Sequence, residues 1–437
     1  MVRRHLLRLS LAVTGGAVAC SSGDSNDTHS RDIPDVEFTA EQTLQLRTMW
    51  PLPAVPDSPT NAHADDPWAA QLGHYLFFDA GLSRDGDLSC ASCHIPDQGW
   101  SDGLRLGEGV ETVDRHTMSL YNSGHSRWAY WDGRCDTLWC QAIEPIEDPR
   151  ELANSRVGLV HYLRNDAALS QAYRVTFGPL PDPTNWPEHG RPVPGDDSHA
   201  DQLAWNALNS SEQAAANEVL VNVAKSIAAF ERTLVSRNSA FDRFAEALLV
   251  DGDEANGHLS QSAQRGLELF IGKGQCHFCH AGPGFTNQEF ANIGLADRTW
   301  LQPADRGRVE GIVQLRDNPF RGDGLHSDDP AAGAVKLQHL TTTGEQEGQF
   351  KVPSLRSVAL SPPYMHGGHF DTLEEAVRHY GEVVEFPELG HREDLLQDLE
   401  LSEEEVSDLV AFLESLTGEP LPEELTHQPE SPLVSSQ

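Results

Sequence analysis

The chain has 437 residues, a length that suits two or three globular units better than one. Its 31 Lys and Arg face 67 Asp and Glu, a net charge of −36. Such a surface repels phosphate backbones and anionic lipid, which excludes nucleic-acid binding and favours a basic protein partner. Hydrophobic residues make up only 38%, and 36 Gly with 27 Pro point to many turns and long connections.

Arg3, Arg4 and Arg8, followed by the short apolar run Leu9 to Val18, read as an export signal over residues 1–19. That run is too short and too Gly-rich for a membrane span. Ala17-Val18-Ala19-Cys20 is similar to a bacterial lipobox. Cys20 is therefore expected to carry a lipid anchor, and the mature protein to work in the periplasm as a lipoprotein. Residues 20–37 are polar and suit a flexible tether. An N-terminal domain over 38–250 and a C-terminal domain over 258–419 follow, divided at Asp251 to Gly257. Residues 420–437, rich in Pro, Glu and Ser, read as a disordered tail.

Within the domains the dominant period is helical. Glu212 to Leu234 carries Val219, Val223, Ile227 and Phe230 at helical spacing. Leu259 to Phe270 repeats the pattern, with Ser260 as N-cap and Leu267 and Phe270 on one face. Leu373, Ala376, Val377 and Tyr380 fall at i, i+3, i+4 and i+7, and Val406, Leu409, Val410, Leu413 and Leu416 form a last stripe. No sustained alternation predicts strands. The chain reads as mainly α with long loops.

Two pentapeptides carry the chemistry: Cys90-Ala91-Ser92-Cys93-His94 and Cys276-His277-Phe278-Cys279-His280. Cys-x-x-Cys-His puts two thiols on one turn, where they form thioethers to the vinyl groups of a haem, and turns the adjacent imidazole onto the iron. A zinc site wants four thiolates together and leaves both His without a task. A dithiol or disulfide leaves them equally unexplained. Two covalent c-type haems account for all six residues.

Around these motifs the sequence resembles the bacterial dihaem cytochrome c peroxidase family, specifically its MauG-like branch, from about Gly73 to Gly418. The residues that carry the resemblance are Leu76-Phe77-Phe78-Asp79 with Leu82-Ser83, then Trp131-Asp132-Gly133-Arg134, Gln141, Pro145 and Glu151. Phe350-Lys351-Val352-Pro353-Ser354-Leu355-Arg356 and Pro363-Tyr364-Met365-His366-Gly367 complete the set. The resemblance implies two cytochrome c-like haem domains and a peroxidase that reduces hydrogen peroxide at the N-terminal haem. Electrons would arrive through the C-terminal haem from a small donor protein or a protein substrate. A non-enzymatic dihaem electron carrier is the alternative.

The resemblance also assigns residues. His94 and His280 are the proximal iron ligands, Glu151 moves the peroxide proton, Gln141 and Pro145 shape the distal pocket, and Trp131 bridges the haems. The removable distal His of many relatives falls near Val110, where this chain has none, so a five-coordinate N-terminal haem is expected, with His116 as the alternative distal ligand. Tyr380 falls at the position of the sixth ligand of the second haem, with Met365 as runner-up. A calcium ion between the haems would use the carbonyls of Ser361 and Pro363, but the family's Asn is His116 here, and imidazole is a poor ligand for this hard cation. Relatives often pair, which implies a homodimer.

Cys135 and Cys140 lie close to Trp131 in sequence. An oxidising compartment permits a disulfide, whereas a regular helix at that spacing would turn the side chains apart, and two small buried thiols remain the alternative. Trp128, Tyr130 and Trp139 read as packing. His125, His277, His366, His369 and His391 read as surface or supporting residues, and Pro179 to Asp201 has no assignment.

Overall fold

A computed structural model describes residues 36–252, 257–295, 303–381, 387 and 389–434. The export signal and most of the tether therefore lie outside the described residues, as do most of the predicted domain boundary and residues 435–437. The described chain from Val36 onward forms one compact unit.

Fourteen α-helices follow in order among the described residues: α1 (Ala40–Met49), α2 (Pro67–Phe77), α3 (Cys90–Cys93), α4 (Leu138–Glu147), α5 (Arg156–Asn165), α6 (Ala167–Phe177) and α7 (Ala200–Ala207), then α8 (Ser210–Glu231), α9 (Ala240–Glu246), α10 (Gln261–Ile271), α11 (Arg308–Asp317), α12 (Pro330–Leu337), α13 (Leu373–Gly381) and α14 (Glu403–Glu414). Two two-residue strands, β1 (Phe290–Ala291) and β2 (Phe350–Lys351), pair antiparallel, with Phe290 opposite Lys351. The helical stripes read from sequence thus become α8, α10, α13 and α14. Ser260 caps α10 as expected, its side chain accepting from the Ala263 N–H.

Two cores form. The first packs α2, α4, α5, α6 and α8 around Leu76, Phe77, Ile143, Val160, Leu220 and Ile227. The second gathers Phe241, Phe270, Phe285 and Phe412 with Leu267 and Leu409. This second core also takes Leu46 and Met49 of α1 and Phe244 of α9. The division in space therefore differs from the division at Asp251 to Gly257. The cause is burial: α1 and α9 carry large apolar side chains that are covered by those of α10 and α14.

Both cores use a glycine to bring two backbones together. A Cβ on Gly73 would lie 1.9 Å from the Ser226 carbonyl oxygen, where α2 meets α8, and one on Gly266 would lie 1.9 Å from that of Asp408, where α10 meets α14. No side chain fits at either crossing. Each crossing lies on the helix that leads into a haem motif.

The expectation of a disordered C-terminal tail needs correction. Residues 420–434 lie along α2, where His74 Nε2 meets the His427 carbonyl at 2.9 Å and Gln71 donates to that of Ser431 at 2.8 Å. Leu421, Leu425 and Leu433 pack against the first core. A segment of polar composition is ordered here because three spaced leucines suffice to cover an apolar strip whose flanking side chains satisfy its backbone.

Gly266→Ala and Gly73→Ala are each expected to destabilise the protein by about 1–3 kcal/mol or more, read as a lowered midpoint in thermal unfolding. Gly344→Ala, where an added Cβ meets nothing within 4 Å, should leave the midpoint unchanged.

Candidate functional site

One continuous cavity of about 1490 Å³ runs through the molecule. Small-molecule pockets span roughly 300–1,000 Å³, so this void suits something larger. Both Cys-x-x-Cys-His motifs line it, together with Trp131, Gln141, Pro145, Glu151, Tyr380, His116, Ser361, Pro363 and Met365. The residues expected to hold or serve the haems are therefore brought to one cavity.

The first motif is held by α3, a single turn whose Ser89 and Ser92 satisfy each other's backbone N–H groups. The four motif thiols are free. Among the described residues no three His, Cys, Asp or Glu side chains gather into a metal-holding cluster, so the thiols do not converge as a zinc site would require. Each proximal imidazole is oriented alike. His94 Nδ1 bonds the Trp100 carbonyl at 3.0 Å, and His280 Nδ1 bonds that of Phe285 at 3.0 Å. That anchor fixes the proton on Nδ1 and leaves Nε2 with a lone pair for iron. Burial keeps both rings neutral, lowering His94 and bringing His280 to about 4. Paired thiols, an anchored neutral imidazole and ample room fit a covalently attached haem at both motifs.

Glu151 reaches the first motif by way of the backbone. The Val110 N–H donates to the Glu151 carbonyl at 3.1 Å and the Glu111 N–H to that of Arg150 at 2.9 Å. The Cys93 thiol donates to the Glu108 carbonyl at 3.4 Å. The segment from Gly107 to Glu111, which carries no His, ties Glu151 to the first motif. Its carboxyl is close enough to Cys90 and Cys93 to influence both thiols. Burial, reinforced by Asp148, pushes the Glu151 carboxyl up to about 7. Glu151 opens no helix: α5 begins at Arg156 with Ser155 as its cap.

Gln141 and Pro145 share α4, and their spacing has a local consequence. Pro145 has no N–H, so the Gln141 carbonyl four residues earlier loses its helical donor. The Tyr130 hydroxyl takes that place at 3.1 Å. Tyr130 is therefore more than packing. The Arg134 guanidinium lies 3.4 Å above its ring and pairs with Glu144 at 2.8 Å. Spacing within α4 could have exposed the orphaned carbonyl, but nothing local names its donor.

The Cys135–Cys140 pair is a disulfide. The helical objection fails because α4 starts only at Leu138. Cys135 lies outside the helix, and the chain turns back between them. The bridge fastens the Trp131–Arg134 turn to the helix that carries Gln141.

Trp131 is buried and linked to both halves. Its Nε1 donates to the His116 carbonyl at 2.9 Å, while its own carbonyl accepts from the Lys351 N–H at 2.7 Å. His116 is buried, with Nδ1 at 2.7 Å from the Leu104 carbonyl and Ser361 beside it. His366 and His369 are also buried, and the His366 ring stacks on Phe350 at 3.5 Å. His366 is thus a supporting residue, its carbonyl accepting from the His116 N–H at 2.8 Å. In α13, Tyr380 faces the cavity while His379 turns away to the Ile293 carbonyl at 2.9 Å. Burial raises the Tyr380 phenol, and the Cys276 and Cys279 thiols add to the shift.

Sequence reading missed Glu231. It is buried in the cavity wall on α8, and its Oε2 has no hydrogen-bond partner among the described residues. Burial alone pushes its carboxyl up to about 8.

A profile of di-haem cytochrome c peroxidases matches residues 67–248. The methylamine utilization protein MauG of Methylorubrum extorquens is 32% identical over 95% of each chain. The chain belongs to the MauG and dihaem cytochrome c peroxidase family. A cytochrome c551 peroxidase of Nitrosomonas europaea is 28% identical over 96% of this chain and 93% of its own. The crystal structure of a MauG-like protein associated with microbial copper homeostasis superposes with a TM-score of 0.60 at 25% identity, over 87% of this chain and 99% of that one. Family membership brings two c-type haems and oxidoreductase chemistry on peroxide.

Cys93→Ala and Cys279→Ala are each expected to weaken one haem linkage. After denaturation, the double variant Cys90→Ala/Cys93→Ala should retain half of the covalently bound haem, measured as pyridine haemochrome.

Proposed function

We propose that this chain reduces hydrogen peroxide at the haem held by Cys90, Cys93 and His94, with electrons entering from a protein donor through the haem held by Cys276, Cys279 and His280. The observation that carries the reading is the single enclosure in which Glu151 faces the first motif and Trp131 is bonded to both halves. When bound, the haems supply the redox-active iron and the storage of oxidising equivalents.

The chain's own residues handle protons and position. The Glu151 carboxylate takes the proton from the near oxygen of peroxide and returns it to the departing oxygen. A carboxyl pushed up to about 7 suits both halves of that task. The Tyr130 hydroxyl holds Gln141 and Pro145 in place, and the Arg134–Glu144 pair closes the pocket behind them. Trp131 offers an indole between the halves for electron passage. Tyr380, which lines the cavity near Cys276 and Cys279, would hold the iron of the second haem together with His280. Its phenol, which burial holds protonated, would ionise next to a bound cation, and such a phenolate would lower the potential of that haem.

A calcium ion has no part in this proposal. His116 presents nitrogen where the ion wants oxygen, and its Nδ1 is engaged by Leu104. The backbone carbonyls of Ser361 and Pro363 alone make too few donors. The Arg3, Arg4, Arg8 and Cys20 leader supports work in the periplasm on a lipid anchor, and the −36 charge supports a basic donor protein.

Ferric holoenzyme should show one high-spin haem by EPR; two low-spin haems that ignore peroxide would identify an electron carrier instead. Because the ionised carboxylate is the base and its fraction grows with pH, kcat/KM for peroxide should rise about tenfold per unit below pH 7 and level off above it. Glu151→Gln should lower kcat/KM by about 10²–10⁴-fold and erase that pH limb. Tyr380→Met should raise the midpoint potential of one haem, read by spectroelectrochemical titration.

A further inference from the structure

Among the described residues, seven lysines and arginines line the central cavity. Arg115, Arg134, Arg150, Arg191, Lys273 and Arg356 each lie within ion-pair distance of a carboxylate. Lys351 has none among the described residues. It is 7% exposed, and its Nζ makes one hydrogen bond, to the Trp128 carbonyl at 3.1 Å. Two of its three N–H donors find no acceptor among the described residues. A buried ammonium without an anion is costly, and natural proteins pair such charges.

The place of Lys351 indicates where an anion would come from. It lies on β2, pairs with Phe290 of β1, and donates its backbone N–H to the Trp131 carbonyl. Pro353, two residues on in the same extended segment, has its carbonyl beside His280. Lys351 therefore belongs to the wall of the second motif, next to the Trp131 loop. A haem carries two propionate carboxylates, the anionic chemistry this ammonium lacks.

We propose that Lys351 is the carboxylate-binding residue of the second haem site, pairing with a propionate of the porphyrin attached at Cys276 and Cys279 and thereby setting that haem's potential. This rests on the reading that both motifs carry haem. Burial alone lowers the Lys351 ammonium to about 8; a propionate partner would keep it charged. A cation beside the macrocycle favours the reduced state, because reduction removes one positive charge from the iron. Lys351 is a positioning residue here, with no contact to peroxide.

The test is a potentiometric titration of wild-type, Lys351→Met and Lys351→Arg holoenzyme, with covalent haem counted in each. Lys351→Met should lower the ferrous-to-ferric ratio of one haem about tenfold at fixed potential, a shift of about 59 mV for one electron. The other haem should move less, and Lys351→Arg should stay near wild type. Two attached haems with unchanged midpoints in Lys351→Met would overturn the inference, as would an equal shift in Lys351→Arg. Resonance Raman spectra of the wild type supply an independent arm. Propionate bending bands at ion-paired frequencies support the pairing, and bands of free propionates overturn it even if Lys351→Met does not fold. A wild type lacking two covalent haems would instead overturn the reading beneath it.

Discussion

Asp132 is buried to 1% exposure between two guanidinium groups, and the middle of the molecule is arranged around it. Arg115 approaches at 2.5 Å and Arg134 at 3.4 Å. Burial opposes the ionised form, but the Arg134 and Arg115 charges overcome it and hold the carboxyl below its usual range. Removing one partner of such a buried group leaves an uncompensated charge, which costs about 3–5 kcal/mol. Arg115 then reaches Asp305, Arg134 reaches Glu144 on α4, and Arg308 caps the carbonyls of Asp132 and Gly133. One carboxylate thus connects the second half of the chain, the indole at Trp131 and the helix that carries Gln141.

Around this knot the wall is polar only where geometry demands it. Tyr130 serves a carbonyl that Pro145 deprives of its donor, and the disulfide holds the turn that presents Tyr130. His116 accepts the indole N–H through its backbone and is itself supported by the His366 backbone. These bonds are short-range and directional, so small displacements of α4 reach Trp131 through several paths at once. The cavity wall at α4 and the Trp131 turn form one hydrogen-bonded piece.

Much of this was legible beforehand. The two Cys-x-x-Cys-His motifs stood out because covalent haem attachment needs both thiols and the imidazole in consecutive positions. Helices α8, α10, α13 and α14 followed from apolar periodicity, since each buries one stripe. What escaped were contacts set by distant chain. No local pattern places α1 and α9 in the second core, seats the last leucines on α2, or links Tyr130 to Gln141. The disulfide was obscured by the assumption of a continuous helix through Cys135, where Thr137 in fact caps a later start. Lys351 reads in the sequence as one more charged residue of a motif, and only the pairing of the six other cationic residues of the cavity wall makes it stand out.

The C-terminal strap along α2 separates the order of synthesis from the order of completion. The helix that leads to the first haem motif receives its cover from residues about 350 positions later, as the Gln71–Ser431 and His74–His427 bonds record. Until nearly the whole polypeptide is in place, that flank stays wet. The first half emerges early yet closes last.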